Sequence, residues 1–171
     1  VAIGTNPGSG TLSGTATVSA VAGVATFSGL SINKVGTGYT LGATSGSLTA
    51  ATTSTFNITP AAASQLVVST QPAASTTAGS SFSVGITAKD SYGNVDTNYA
   101  SNITVAIGTN PGTGTLSGTK TVAASSGVAS FSGLSINKSG TGYTLSASGL
   151  TATSASMSVT TSTFNITAGS A

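Results

Sequence analysis

The sequence contains no arginine, glutamate, histidine, cysteine or tryptophan, and only 4 % of its 171 residues carry a charge. Without cysteine, the chain has no disulfide and offers no thiolate to a metal ion. Without histidine or glutamate, acid–base catalysis lacks its usual groups, and the many serine and threonine hydroxyls lack a base that would activate them. We therefore expect that the protein is not an enzyme and uses no cofactor.

The few charges also narrow the range of partners. The four lysines, at positions 34, 89, 120 and 138, are scattered, so they form no basic patch and predict no nucleic-acid partner. No apolar run approaches the ~20 residues that cross a bilayer, so no membrane insertion is expected in this segment. A polar surface of Ser, Thr, Asn and Gly is typical of secreted bacterial repeat proteins, and it predicts an extracellular or cell-surface location.

What the chain does contain is a long internal repeat. Residues 1–41 align with residues 105–145, and the stretch TSTFNIT follows in each copy, at residues 53–59 and 161–167. The second copy is therefore four residues longer, between Ala147 and Thr161, where we expect a loop. Repeats of about 100 residues are longer than solenoid units and indicate tandem globular domains.

The repeat predicts where the domains begin and end. We expect one complete unit at residues 61–168, and residues 169–171 begin the next linker or repeat. Residues 1–60 correspond to the C-terminal part of a preceding unit. We expect its first strands to be supplied by chain outside this segment, because residues 61–104 occur only once here.

Each unit is predicted to be all-β. Helical periodicity is absent, whereas apolar and polar residues alternate in several stretches, such as Phe82, Val84 and Ile86 in SFSVGITA. The pattern predicts seven strands, near residues 65–70, 80–89, 101–107, 118–124, 127–136, 142–148 and 160–167. Seven short strands in about 105 residues are typical of an immunoglobulin-like β-sandwich, so we expect tandem domains of that kind.

Two local features refine this prediction. In GVASFSGLSI, Ala129 and Phe131 have odd numbers and Leu134 has an even one, so in a regular strand Leu134 would face the opposite side of the sheet. We therefore expect a β-bulge at Gly133 that brings Leu134 back to the same side.

In GTGYTL, Tyr143 begins the sixth strand two residues before a core position. That is the place of a tyrosine corner, whose hydroxyl bonds to backbone a few residues upstream.

Four stretches carry a resemblance to a known family. They follow one another in the unit at residues 61–168: ITAKDSYGNVDTNYASNITVAI at residues 86–107, GTLSGTKTV at 114–122, GVASFSGL at 127–134 and GTGYTLSA at 140–147. They are similar to the D-x-x-G-N turn, the central G-x-A strand and the late G-x-Y strand of the bacterial immunoglobulin-like repeats of invasin, intimin and related giant surface proteins. The resemblance implies a stalk that holds a terminal binding domain away from the cell. No residue here matches a lectin-like tip, so an adhesive function does not transfer.

One stretch, KDSYGNVDTN, holds both carboxylates and is the candidate metal site. Asp90, Asn94, Asp96 and Asn98 offer oxygen ligands of the kind that calcium prefers. The alternative is a turn in which Asp and Asn bond to the backbone and Gly93 supplies a positive φ. Two carboxylates make a poor calcium cage and the EF-hand spacing is absent, so we favour the turn.

Glycosylation is a further candidate modification. The N-x-[ST] sequence occurs at Asn57, Asn102, Asn137 and Asn165. Four such sequences are also expected by chance in a chain this rich in Asn, Ser and Thr.

The leading functional hypothesis is structural: a repeat segment of a long extracellular stalk or filament that acts as a spacer or scaffold. Its expected partners are neighbouring identical or similar repeats, and also other copies of the filament. The alternative is a carbohydrate- or cell-binding adhesin module that uses loops at one end of the sandwich. Such a site needs exposed aromatic anchors, and the loops offer only Tyr92 and Tyr99, which favours the structural hypothesis.

Overall fold

Every regular element of the chain is a β-strand. The computed structural model describes residues 1–169, and none of these residues lies in a helix. The protein is therefore all-β, as predicted. The chain divides into two compact units, Val1–Pro60 and Ala61–Ala171, which are called the first and second units below.

The first unit is built from short strands that form three small antiparallel sheets. Their orders are β1-β5-β6, β2-β3 and β4-β7. The strands are β1 (Ala2–Ile3), β2 (Leu12–Ser13), β3 (Ser31–Ile32), β4 (Gly36–Tyr39), β5 (Leu41–Ala43), β6 (Ala51–Thr52) and β7 (Phe56–Ile58).

The second unit has longer strands and three larger sheets. The strands are β8 (Gln65–Thr70), β9 (Ser75–Thr77), β10 (Phe82–Lys89), β11 (Asn102–Ile107), β12 (Leu116–Ser117), β13 (Thr121–Ala123), β14 (Val128–Ile136), β15 (Gly140–Tyr143), β16 (Leu145–Leu150), β17 (Ser156–Thr160) and β18 (Phe164–Thr167). Two sheets have four strands, in the orders β12-β14-β10-β8 and β13-β11-β16-β17. The third has the order β15-β18-β9, and its β18–β9 pair is parallel.

A single core cluster fills the second unit and takes side chains from both four-stranded sheets. The alternating residues of β10 lie in it, as the sequence pattern predicted, and so do those of β11, β14 and β16. Its largest fully buried members are Tyr143, Phe131, Phe164, Ile86, Ile103, Leu134, Ile136 and Leu145.

The strands of the second unit are more numerous than the seven predicted. The expected strand at 142–148 is divided at Thr144, because the chain changes sheets there: β15 pairs with β18, whereas β16 pairs with β11 and β17. The expected strand at 118–124 is shorter and corresponds to β13, which pairs with β11, while the unpredicted β12 lies before it and pairs with β14. The expected strand at 160–167 corresponds mainly to β18, and the unpredicted β17 ends at Thr160. Strand β9 was not predicted, because its sequence Ser-Thr-Thr contains no apolar residue.

The predicted loop is present at residues 151–155, but the four extra residues of the second copy also lengthen the strands of the hairpin on either side of it. Strands β16 and β17 pair from Ser146 opposite Thr160 to Leu150 opposite Ser156. The equivalent β5–β6 ladder of the first unit has only two residue pairs. Met157 is buried in the core, so the longer hairpin adds a packed side chain, although most of its residues are exposed.

The predicted bulge at Gly133 is confirmed. Phe82 of β10 lies opposite Leu134 and Val84 lies opposite Phe131, so one residue of β10 faces two residues of β14. Gly133 has a φ of 70°, in the left-handed region that glycine adopts without strain. The bulge is what allows Phe131 and Leu134 both to face the core despite their opposite parity.

The hydrogen bond of the predicted tyrosine corner is also present. The buried hydroxyl of Tyr143 donates to the carbonyl oxygen of Lys138, five residues upstream, at 2.9 Å. In the first unit, Tyr39 makes the same bond to Lys34, also at 2.9 Å. Each tyrosine is the last residue of its strand, β15 or β4, and ties that end of the strand to the turn that precedes it.

Tyr143→Phe is expected to lower the free energy of unfolding of the second unit by about 1 kcal/mol or more, because the Lys138 carbonyl loses a buried donor. Urea denaturation of the two proteins measures this difference. Thr141→Ser, at an exposed position of the same strand, is the matched control and is expected to change stability by less than about 0.5 kcal/mol. Equal midpoints for Tyr143→Phe and the parent would contradict a stabilising corner.

Candidate functional site

Both carboxylates of the chain are buried, although a surface position is usual for aspartate. Asp90 is 1 % exposed and Asp96 is 7 % exposed. Asp90 follows directly after β10, and Asp96 lies six residues further along the same turn. A buried charge is tolerated only where hydrogen bonds replace its water, so the partners of these groups define what the turn does.

Asp90 accepts hydrogen bonds on all four of its lone-pair positions. Its Oδ1 accepts from the backbone N–H groups of Tyr92 and Asn94, both at 2.9 Å. Its Oδ2 accepts from the Asn94 side-chain amide at 2.9 Å and from the Ala61 N–H at 3.2 Å. The carboxylate thus closes its own turn and also holds the first residue of the second unit.

Asp96 repeats this arrangement two residues along the bound segment. Its Oδ2 accepts from the Ala63 N–H at 2.8 Å, and its Oδ1 accepts from the Asn98 N–H at 3.0 Å. The Gln65 side chain reinforces the contact by donating to the Asp90 carbonyl oxygen at 2.7 Å. We call Asp90, Asp96 and the residues 61–63 that they hold the carboxylate clasp.

The clasp lowers the pKa of Asp90. Burial on its own raises the pKa of this carboxyl, but the Asn94 side-chain amide and three backbone N–H groups bond to the charged form and outweigh burial. The pKa therefore lies below its ordinary value, and the ionised form is the one that the folded chain stabilises.

The turn that the sequence favoured is the arrangement present in the structure. Asp90 and Asp96 each accept from the backbone N–H two residues later, and Gly93 has a φ of 81°. Among residues 1–169, no group of three acidic, histidine or cysteine side chains is placed to hold a metal ion. The candidate calcium ligands Asp90, Asn94 and Asp96 do lie close together, but each carboxylate oxygen already receives an N–H donor.

The candidate glycosylation sites differ in surroundings. Asn57, Asn102 and Asn137 are exposed, whereas Asn165 is partly buried. The side-chain oxygen of Asn137 accepts from the Thr115 N–H at 2.8 Å, and that of Asn165 accepts from Gly142 at 3.0 Å. Asn57 makes the equivalent bond in the first unit, to Gly38 at 3.1 Å. These three asparagines thus fasten neighbouring backbone, a role that the N-x-[ST] pattern does not reveal.

Of the two loop aromatics, one is not available as a binding anchor. Tyr99 is only 6 % exposed, and its hydroxyl donates to the Leu150 carbonyl oxygen at 3.0 Å. Burial raises the pKa of Tyr99, and the bond to Leu150 offsets part of that rise. Tyr92 is 56 % exposed. The sequence placed both tyrosines in loops, and it gave no signal for the distant Leu150 carbonyl that takes Tyr99 into the core.

Comparison with known proteins adds no family to this description. No family model matches the chain, and no curated protein matches its sequence. Within residues 1–169, no helix has the length and apolar character of a membrane span.

Asp90→Asn is expected to destabilise the second unit by about 2 kcal/mol, because one acceptor oxygen becomes a donor that faces N–H groups. The pKa of Asp90 is lower folded than unfolded, so the unfolded chain binds the proton first as the pH falls. The stabilisation is therefore complete above the unfolded pKa and is lost as the pH falls from about 4 through the lowered pKa. Thermal unfolding between pH 2 and pH 7 measures both effects.

Two controls make this measurement specific. Ser91→Ala changes an exposed neighbour and is expected to retain the parent's acid dependence. Asn94→Ser removes the amide donor but keeps the carboxylate, so it is expected to lose stability with a smaller change in acid dependence. If the stability of Asp90→Asn depends on pH as that of the parent does, then the carboxylate clasp is not the cause of the loss of stability in acid.

Proposed function

We propose that the chain is a structural repeat segment of a long extracellular surface protein, in which each complete unit is an immunoglobulin-like β-sandwich that acts as a spacer. In such a sandwich, strands A, B, E and D form one sheet and strands C, F and G form the other. The order β8-β10-β14-β12 corresponds to A-B-E-D. In the second sheet, β13-β11-β16-β17, the last three strands correspond to C-F-G, and β13 is an additional strand at the edge. The hydrogen bond from Tyr143 to Lys138 supports the same assignment.

The observation that carries the spacer role is the carboxylate clasp. The chain has two acidic side chains, and both bind the backbone of residues 61–63. The segment that leads into the second unit is therefore fixed to that unit by charge-assisted hydrogen bonds, which are stronger than neutral ones. A spacer has to keep its incoming chain in place, and it requires no acid or base for chemistry.

The partners that fit this role are neighbouring identical or similar repeats. A surface of Ser, Thr, Asn and Gly with few charges has weak electrostatic repulsion, so side-by-side association of copies is favoured as well. A carbohydrate-binding module would need aromatic anchors on its loops, and the burial of Tyr99 leaves it with fewer than the sequence suggested.

An antibody against the second unit is expected to label intact cells of the source organism, or filaments shed from them. The reason is that a spacer of a surface protein is exposed to the medium. Immunogold electron microscopy before and after permeabilisation makes the comparison. Labelling that is found only after permeabilisation would contradict an extracellular location.

The melting temperature of the 171-residue chain is expected to change by less than about 5 °C between pH 5 and pH 9, and between low and molar sodium chloride. The chain has no histidine. The pKa of Asp90 is lowered and the pKa of Tyr99 is raised, so both lie further from this pH range than usual. A change of 5 °C corresponds to ~1 kcal/mol for a domain of this size. Scanning calorimetry measures the midpoint.

Calcium provides the contrast in the same experiment. At constant ionic strength it is expected to leave the midpoint unchanged, because the oxygens of Asp90 already accept four hydrogen bonds. A rise of more than about 5 °C on adding calcium would restore the calcium interpretation of Asp90, Asn94 and Asp96.

A further inference from the structure

We propose that the first unit carries an acceptor site for a β-segment with the sequence of residues 61–104, supplied by another copy of the repeat. The site is an apolar face whose equivalents in the second unit are covered by that segment. This inference rests on the matched residues of the two units and not on the spacer role. We call it the acceptor face, and its members are Ala25, Phe27, Leu30, Leu41, Ala43 and Phe56.

The acceptor face is exposed where its counterpart is buried. In the second unit, Phe131, Leu134 and Leu145 are 1, 0 and 1 % exposed. Their equivalents in the first unit, 104 positions earlier, are all partly exposed. Two clefts open there, of about 400 and 230 Å³, and Phe27 lines both. Identical side chains thus differ in burial because of what lies over them.

In the second unit the cover is β10. Val84 pairs with Phe131, and Ile86 pairs with Ala129, so β10 brings its apolar side chains into the same core as these residues. Residues 1–60 contain no equivalent of β10. Residues 25–30 correspond to residues 129–134 of β14, but they form no strand. The two sequences differ only by Thr26 in place of Ser130. The acceptor face therefore lacks a neighbouring strand with the apolar side chains of β10, such as Val84 and Ile86.

The backbone of the face is already shaped for that strand. In the second unit, the Gly127 carbonyl oxygen accepts from the Ala88 N–H at 2.8 Å, and the Gly127 N–H donates to the Tyr99 carbonyl at 3.1 Å. A Cβ at Gly127 would lie 2.5 Å from the Asp96 carbonyl oxygen. The equivalent Gly23 has the same φ of 81°, but a Cβ there would meet nothing within 4 Å. The turn is kept, and the space beside it is open.

The parallel strand pair identifies a second contact with the same segment. In the second unit, β9 lies against β18, with Thr76 opposite Ile166. The strand of the first unit that is equivalent to β18 is β7. Among the strands of residues 1–169, β7 pairs only with β4. Residues 61–104 contain the sequences of both β9 and β10, so one segment supplies both missing strands. This chain contains that segment once, and the core of the second unit already buries its Leu66, Val84 and Ile86. The occupant that we propose is therefore the segment equivalent to residues 61–104 in a further copy of the repeat.

The test adds a synthetic peptide of residues 61–104 to the ¹⁵N-labelled 171-residue chain and follows amide hydrogen exchange by NMR. Exchange at residues 24–30 is expected to slow at least about tenfold and to saturate at one peptide per chain. The matched control peptide carries Val84→Asp and Ile86→Asp, which would place two charges in the core. It is expected to bind at least about 100-fold more weakly.

Three results would overturn the proposal: unchanged exchange at residues 24–30, equal protection by the control peptide, or protection only in the second unit. Protection without peptide that depends on chain concentration would also overturn it, since the faces of two first units would then cover each other. A peptide this rich in β-structure can aggregate, so a second protein joins the same sequence directly ahead of Val1. Residues 24–30 are then expected to exchange within about tenfold of residues 128–134, and slow exchange in the second unit alone counts against the site.

Discussion

The second unit depends on strand β10, which lies between β8 and β14 in its sheet and contributes Phe82, Val84, Ile86 and Ala88 to the core. The first unit shows the contribution of this strand, because residues 1–60 repeat most of the sequence of residues 105–167 but include no strand like β10. There the residues equivalent to the start of β14 form no strand, and the apolar side chains that β10 would cover are partly exposed. An amphipathic sequence forms a strand where a neighbour completes both its hydrogen bonds and its burial.

The scarcity of charge gives the two carboxylates unusual weight. A typical domain distributes many carboxylates over its surface, where each contributes little. Here Asp90 and Asp96 are buried, and together they join the turn after β10 to the residues that precede β8. Buried acceptors of several backbone N–H groups are costly to leave unpaired, so the clasp specifies one path for the chain at this end of the unit.

How far the sequence could predict this structure depends on the range of each interaction. Alternation placed Phe82, Val84 and Ile86 on one face, and the change of parity around Gly133 located the bulge, because both signals lie within a few neighbouring residues. The division of a strand at Thr144 was missed, since it depends on which distant strands pair on either side. The candidate site was found as a turn, but its contact with Ala61 joins residues 29 positions apart and leaves no local pattern.

Comparison of the two units also separates the hydrogen bonds between neighbouring residues from the packing that depends on distant strands. The Tyr39–Lys34 bond has the same length as Tyr143–Lys138, 2.9 Å. The side-chain oxygen of Asn6 accepts from the Gly10 N–H at 2.7 Å, as that of Asn110 does from Gly114. These bonds join residues four or five positions apart, and they form whether or not the core above them is complete. The first unit therefore has an ordered frame, and a segment that docked on it would leave fewer backbone dihedrals to fix than the association of two disordered partners. Because the first unit is already ordered, binding of a separate segment loses less conformational entropy. The free energy of binding is then not offset by the cost of folding the first unit, which makes its completion by a separate segment physically reasonable.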